Sequence, residues 1–282
     1  MFDVIGCEPR YCVTHGDYTC NFVHSPIGDI ATRCPKCTGK GEDIESHRHA
    51  MIEAMRKHDD RMVERRKSDA MIPERYLSRT LDNYRTETEG QAKAMGHCRT
   101  FADSFKNCQK TGGSLFMAGN AGAGKTHLAC AIANQLIERG HTALFLGVSK
   151  MFRRIRATYR ADSCQSEQDA IDELVRVDLL IIDEVGVQRG TESEEQLLFE
   201  VLNDRYGAYK PTILISNLPL DQARAYIGTR TLDRLRECGG KLIVFDWDSY
   251  RGRVRDDAEL PAGSGVTVEP MPPSMRPFPE DD

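Results

Sequence analysis

Residues 119–126, Gly119-Asn120-Ala121-Gly122-Ala123-Gly124-Lys125-Thr126, carry the most chemistry in this chain. Glycines at this spacing let backbone N–H groups turn inward around a polyphosphate. Lys125 then reaches the β- and γ-phosphates, and the Thr126 hydroxyl is placed to hold Mg²⁺. A second set, Asp183-Glu184, closes the apolar run Leu179-Leu180-Ile181-Ile182. Two carboxylates at the end of a buried strand are costly unless a cation meets them. In that position Asp183 holds Mg²⁺ through water, and Glu184 polarises the attacking water of a hydrolysis. Asn217 ends another apolar run, residues 211–216, where an amide would hold the lytic water or the γ-phosphate, or merely cap a turn. The third set is Cys12-x-x-His15 with Cys34-Pro35-Lys36-Cys37, two pairs joined by an 18-residue loop. That spacing suits one tetrahedral Zn²⁺, with Cys7 and Cys20 as substitute ligands. A redox Cys-x-x-Cys is the rival reading, but no βαβ pattern surrounds it.

These residues need elements to position them. Residues 115–118 are a short apolar strand, the glycine loop follows at once, and residues 127–139 read as a helix stopped by Gly140. Strand, glycine loop, helix is the order that a phosphate-binding P-loop requires. Further apolar strands are expected at 143–148, 179–182, 211–216 and 242–245, with helical patterns between them. Five strands alternating with helices predict an α/β fold. One of those helices, 150–160, holds Lys150, Arg153, Arg154, Arg156 and Arg160, with Phe152 and Tyr159 among them. Basic residues interleaved with aromatics make it the best local nucleic-acid candidate, against a plain solvated face. A helix is expected at 197–209, and a single helical run passes through Cys98, Phe101, Phe105 and Cys108 to Gly112-Gly113. Tyr84 is placed either to pack on an adenine or to fill the core.

The chain divides into a zinc-binding module (1–41), a charged helical linker or partner-binding helix (42–72), an ATPase domain (73–255) and an acidic, Pro-rich disordered tail (256–282). In the linker, Met51, Ile52, Met55, Met62 and Val63 fall near one stripe at helical spacing. About 40 residues cannot bury much core, so a metal would supply the folding energy of the first module. The net charge of −5 over 282 residues hides an asymmetry: residues 256–282 hold seven acids against Arg276, so the tail carries −6 and the body +1. Only a local patch can therefore argue for nucleic acid. Five of the ten cysteines fall within the first 37 residues, which in a cytosolic protein points to metal rather than disulfides. No apolar run approaches a membrane span and no signal peptide is visible, so a cytoplasmic protein without membrane contact is expected.

With these elements placed, the sequence resembles the AAA+ ATPases, specifically the DnaC-type replicative helicase loaders, in a phage-like form with an N-terminal zinc module. The resemblance covers roughly residues 73–254. It rests on Leu81-Asp82-Asn83-Tyr84-Arg85, GNAGAGKT, LLIIDEVGVQ, PTILISN, TRTLDRLRE and FDWDSYRGRV. It implies five parallel strands in the AAA+ order, with ATP, ADP and Mg²⁺ bound between neighbouring subunits of a homo-oligomer. Position by position, it makes residues 119–126 Walker A, Asp183 and Glu184 Walker B, and Asn217 sensor one. It makes Arg234 the arginine finger, with Arg230 as competitor, and Arg251 sensor two. A finger acting in trans ties ATP to assembly, because it stabilises transition-state charge only when a neighbour docks. The implied partners are a DnaB-type hexameric helicase and single-stranded DNA. The alternatives are an IstB-like ATPase helper of a transposase, a P-loop small-molecule kinase, and a zinc-dependent DNA-binding module with a vestigial P-loop.

Overall fold

The computed structural model describes residues 4–24, 28–37, 42–160, 162–186 and 191–250, with side chains omitted over 42–50. Arg251 and the tail at 256–282 lie outside the described residues. The first element is a small antiparallel sheet of β1 (Val4–Cys12), β2 (Gly16–Val23) and β3 (Ile30–Ala31). The β1–β2 hairpin pairs Cys12 with Gly16, and Phe22 of β2 pairs with Ala31 of β3. Helix α1 (Glu42–Asp69) comes next, and a 3₁₀ turn at Glu74–Tyr76 leads onward. The C-terminal end of α1 is docked on the larger, second sheet and its helices. Val63 packs against the core, Ala70 is buried, and the Ala70 carbonyl accepts the Phe145 N–H at 2.8 Å.

The helical run expected through Cys108 is two helices, α2 (Glu89–Asp103) and α3 (Phe105–Thr111). The break is at Ser104, whose hydroxyl donates back to the Thr100 carbonyl at 2.6 Å and competes with the helical ladder. Then come β4 (Leu115–Gly119), α4 (Lys125–Glu138), β5 (Ala143–Gly147), α5 (Val148–Ala157), α6 (Glu167–Arg176) and β6 (Leu179–Asp183). The chain continues through α7 (Glu192–Gly207), β7 (Thr212–Ser216), α8 (Leu220–Ile227), α9 (Thr229–Glu237) and β8 (Lys241–Phe245). Helix α7 starts five residues earlier than its apolar pattern suggested. Thr191 and Glu194 form a capping box there, which satisfies the first orphan N–H groups.

The five strands of the second sheet run parallel in the order β5-β6-β7-β4-β8. Inner strands β6 and β7 are buried at every residue, as parallel strands covered on both faces must be. Leu115, Met117, Ile181 and Ile213 face a core built with α2 and α4, while Phe116, Leu180, Ile182 and Leu214 face one built with α5, α6 and α7. The alternation within each strand divides the apolar set between the two faces.

A charged side chain of α7 also lies inside this packing. Arg205 of α7 is 1% exposed and donates to the carbonyls of Leu174, Val175, Val177 and Pro211 and to the Thr212 hydroxyl. The first three carbonyls close the C-terminal end of α6, where a cation is favoured. Burial pulls the guanidinium down to about 9, so it remains charged at neutral pH. Among the described residues no helix is long and apolar enough to cross a membrane.

Candidate functional site

Strand β4 sits between β7 and β8, and the P-loop leaves its C-terminal end. The loop can lie this close to β8 only with glycine at position 119. A Cβ there would fall 2.2 Å from the Phe245 carbonyl oxygen, and the residue has φ +126°. Gly124 is equally constrained, with φ +96° and only 2.7 Å between an added Cβ and the Tyr84 ring. Gly124 also begins α4, so the loop ends on a helix N-terminus that favours an anion. Lys125 is buried in the cradle, its ammonium 2.7 Å from the carbonyl oxygens of both Gly119 and Asn120.

The two acidic residues are brought to the same edge by β6. Thr126 Oγ1 donates to Asp183 Oδ2 at 2.9 Å, which joins Walker A to Walker B directly. Burial pushes the Asp183 carboxyl above its ordinary value, against the hydrogen bonds from Thr126 and the Glu184 N–H that lower it. A desolvated carboxylate beside a hydroxyl oxygen is the donor set a hard divalent cation takes, so Thr126 and Asp183 fit Mg²⁺. Glu184 is exposed and adopts φ +63°, a left-handed conformation that costs a non-glycine residue about 1–2 kcal/mol. Its N–H donates to Asp183 Oδ1 at 2.7 Å. Strain at the residue after Asp183 is typical of a site where position matters more than stability.

Asn217 follows β7, the strand between β6 and β4. Ser216 pairs with Ala118, so the exposed Asn217 emerges beside the start of the P-loop, at the same sheet edge as the end of β6. The structure therefore brings together Walker A, Walker B and Asn217. Arg234 of α9 lies elsewhere. Its guanidinium is hydrogen-bonded to Asn203 and lies 5.4 Å and 5.3 Å from the rings of Phe199 and Tyr206 on α7. Arg230, one turn earlier, is exposed.

Tyr84 packs against the P-loop itself: its hydroxyl donates to the Ala123 carbonyl at 3.2 Å, and its ring meets His127 edge-on at 5.3 Å. Burial pushes its phenol up to about 12, so it keeps the proton it donates. Sequence reasoning missed Trp247, which donates from Nε1 to the same carbonyl at 2.9 Å. No periodicity signals such a bond, because Trp247 lies 124 residues from its acceptor.

Helix α5 corrects one reading. Phe152 is core, 3% exposed, and not a base-stacking aromatic. Arg154 is drawn into an ion pair with Glu173, and Arg156 into one with Glu194 at 3.0 Å. Lys150, Arg153 and Arg160 remain on the exposed side, Arg160 just beyond the helix end.

In the N-terminal sheet, two tight turns carry the predicted metal ligands. The His15 N–H donates to the Cys12 carbonyl, and the Cys37 N–H to the Cys34 carbonyl, so each pair is presented from a turn. Cys12, His15, Cys34 and Cys37 gather with all ligand atoms within 4.8 Å of one another. His15 Nδ1 lies 3.1 Å from Cys37 Sγ and 3.9 Å from Cys34 Sγ, and Cys12 Sγ lies 3.3 Å from Cys37 Sγ. Three thiols and an imidazole gathered at this range fit the corners of a tetrahedron around Zn²⁺. Hydrogen bonding with Cys37 draws the Cys12 thiol down to about 6 and pushes that of Cys37 up to about 11. Cys20 is buried with its thiol on the Thr32 carbonyl, and Cys7 is exposed on β1, so neither joins the four.

A parallel sheet with its P-loop after β4, the strand between β7 and β8, and with two acids ending β6, defines a P-loop ATPase of the AAA+ class. Comparison with known proteins narrows this. A family model described as IstB-like ATP binding protein matches residues 42–258. The replicative helicase loader DnaC of Escherichia coli strain K12 is 34% identical over 175 residues, 62% of this chain and 70% of that protein. DnaC of Buchnera aphidicola subsp. Acyrthosiphon pisum is 32% identical over 184 residues, 65% and 74% of the two chains. A crystal structure of the DnaC helicase loader shares the fold, with a TM-score of 0.55 and 22% identity over 62% of this chain and all of that one. This chain belongs to the IstB-like ATP-binding protein family, in which its relatives are DnaC-type AAA+ ATPases.

Proposed function

We propose that this chain is an ATP-dependent loader that delivers a DnaB-type hexameric replicative helicase onto single-stranded DNA in the cytoplasm. The carrying observation is the joined Thr126–Asp183–Glu184 edge beside a formed P-loop, in a chain whose relatives are helicase loaders. Bound Mg²⁺ neutralises phosphate charge; Thr126 and Asp183 hold it, and residues 119–126 hold ATP. Glu184 takes the proton of the attacking water, and Asn217 orients that water or the γ-phosphate. Hydrolysis yields ADP and phosphate, slowly, and is stimulated by helicase or DNA. Arg234 reaches a neighbouring subunit's γ-phosphate. Its anchorage on Asn203, Phe199 and Tyr206 supports this, since a trans-acting cation works best when preorganised. Arg251 acts on the subunit's own nucleotide. ATP therefore assembles a homo-oligomer, and hydrolysis releases it. The zinc module, together with the N-terminal half of α1, grips the helicase.

The test is affinity capture of the tagged chain with and without ATP, alongside Lys125→Ala. ATP-dependent recovery of a hexameric helicase, abolished in Lys125→Ala, is expected. A chain that stays monomeric and indifferent to ATP with helicase and single strands supplied overturns the reading. Recovery of a transposase instead would favour the transposase-helper alternative.

Single-stranded DNA lies along the exposed side of α5. Replacing Arg153 and Arg160 by glutamine is expected to weaken single-strand binding. It should also flatten the salt dependence by about 0.7 for each phosphate no longer neutralised. Replacing Arg154 and Arg156, which face Glu173 and Glu194, should do less. Fluorescence-anisotropy titrations across a salt series read both, and an unchanged slope in the first variant rules α5 out.

A further inference from the structure

The P-loop is held from outside as well as from within. Three of its polar groups point away from the phosphate cradle into a strap formed by the chain just after β8. The Ala123 carbonyl accepts from Trp247 Nε1 at 2.9 Å, and the Gly122 carbonyl accepts from the Tyr250 N–H at 3.1 Å. The Asn120 side-chain amide donates to the Trp247 carbonyl at 3.2 Å. From the other side Tyr84 adds a second donor to Ala123 at 3.2 Å, and Arg85 ties the two segments together by donating to the Tyr250 hydroxyl at 2.6 Å. The indole is itself wedged, 4.9 Å from the Phe245 ring and against Gly90, where an added Cβ would lie 3.4 Å from it.

A trans peptide unit is planar, so its C=O and the next residue's N–H point in opposite directions. Two donors on the Ala123 carbonyl therefore fix where the Gly124 N–H points. That N–H opens α4, at the position where a P-loop contacts phosphate. We propose that Trp247, seconded by Tyr84, is a positioning residue for ATP binding: it aims the Gly124 N–H into the phosphate cradle by holding the opposite end of the same peptide. The residue acts on affinity for the polyphosphate and not on the chemical step, since its hydrogen bonds go to Ala123 and Asn120 of the loop and not to Asp183 or Glu184. This inference rests on the ATP-binding reading of the site.

Trp247→Phe keeps a ring between Phe245 and Gly90 and removes only the indole donor; Tyr84→Phe removes the second donor. Each is expected to weaken binding of a fluorescent ATP analogue about fivefold to tenfold, the effect of removing one oriented hydrogen bond. The double variant should weaken it more than either, and KM for ATP should rise with kcat within about twofold. Because Trp247 is the only tryptophan in the chain, its indole N–H gives a single NMR resonance, which should shift when saturating ATP is added to the wild type. Unchanged affinity in Trp247→Phe with a normal melting curve, or an indole resonance indifferent to ATP, overturns the proposal. If Trp247→Phe melts early, Tyr84→Phe and the wild-type resonance still decide it. Failure of the wild type to bind the analogue at all would instead refute the ATPase reading, so the two failures are distinguishable.

Discussion

Replacing Glu184 by glutamine is expected to leave ATP bound and to lower its hydrolysis by about 10²–10⁴-fold, the usual contribution of a positioned general base. The substitution keeps the side chain's size, and the backbone bond from the residue 184 N–H to Asp183 is independent of the side chain. Walker A is untouched: Lys125 stays on the Gly119 and Asn120 carbonyls, and Thr126 stays on Asp183. What disappears is a carboxylate that is exposed at the strand end while its neighbour Asp183 is buried. The environments of the two acids differ as the proposed roles require: a desolvated carboxylate for a cation and a hydrated one for a proton. Phosphate release measures the rate, equilibrium binding of a fluorescent analogue measures affinity, and light scattering measures assembly. In the proposed cycle the variant accumulates the ATP-bound assembly with helicase. A fall in hydrolysis of less than tenfold would show that Glu184 is not the base and leave positioning of the water, with Asn217 the next group to test, as the larger contribution.

Metal removal is the second large effect. Chelation, or Cys34→Ser with Cys37→Ser, is expected to unfold residues 4–37 and leave the parallel sheet and its ATP affinity intact. Among the described residues of this segment only Cys20 and Cys34 are buried, far too little to offset the chain entropy of more than 30 ordered residues. A structural Zn²⁺ contributes about 10–16 kcal/mol of apparent binding energy, and in such modules that energy is folding energy. One zinc per chain should appear in metal analysis and be released with disappearance of the β1–β2 hairpin signals by NMR. Cys7→Ser should keep the metal, because Cys7 is not among the four gathered ligands. A hairpin that survives chelation unchanged would show that the four side chains meet for packing alone. The separation of effects also matters for function, since a metal-free chain should still bind ATP yet fail to recover helicase.

Much of the nucleotide site was legible because its parts are local. A P-loop is one strand, one loop and one helix in direct succession, and an acidic pair ending an apolar run announces a parallel strand with its C-terminal edge at a cation. The cluster of Cys12, His15, Cys34 and Cys37 was legible for the same reason, as two short turns with fixed spacing. Less legible were interactions whose partners lie far apart. The aromatic pattern of α5 does not say that Phe152 faces the core, since sequence spacing gives a helix face but not what covers it. The break at Ser104 and the early start of α7 turned on single side-chain bonds to the backbone, at Thr100 and at the Thr191 capping box.

By itself, then, the sequence determined the chemistry on offer: a glycine loop between a strand and a helix, two adjacent acids closing an apolar run, three cysteines and a histidine at metal-ligand spacing, and an α/β order. Only the tertiary structure decided which arginines of α5 are drawn into ion pairs, which cysteines meet, and that Trp247 and Tyr84 close on one P-loop carbonyl. The physical reason is range. Hydrogen bonds and periodicity within a few residues are written into local composition. Bonds between β8's exit and β4's exit exist only after parallel pairing has put those two strand ends side by side.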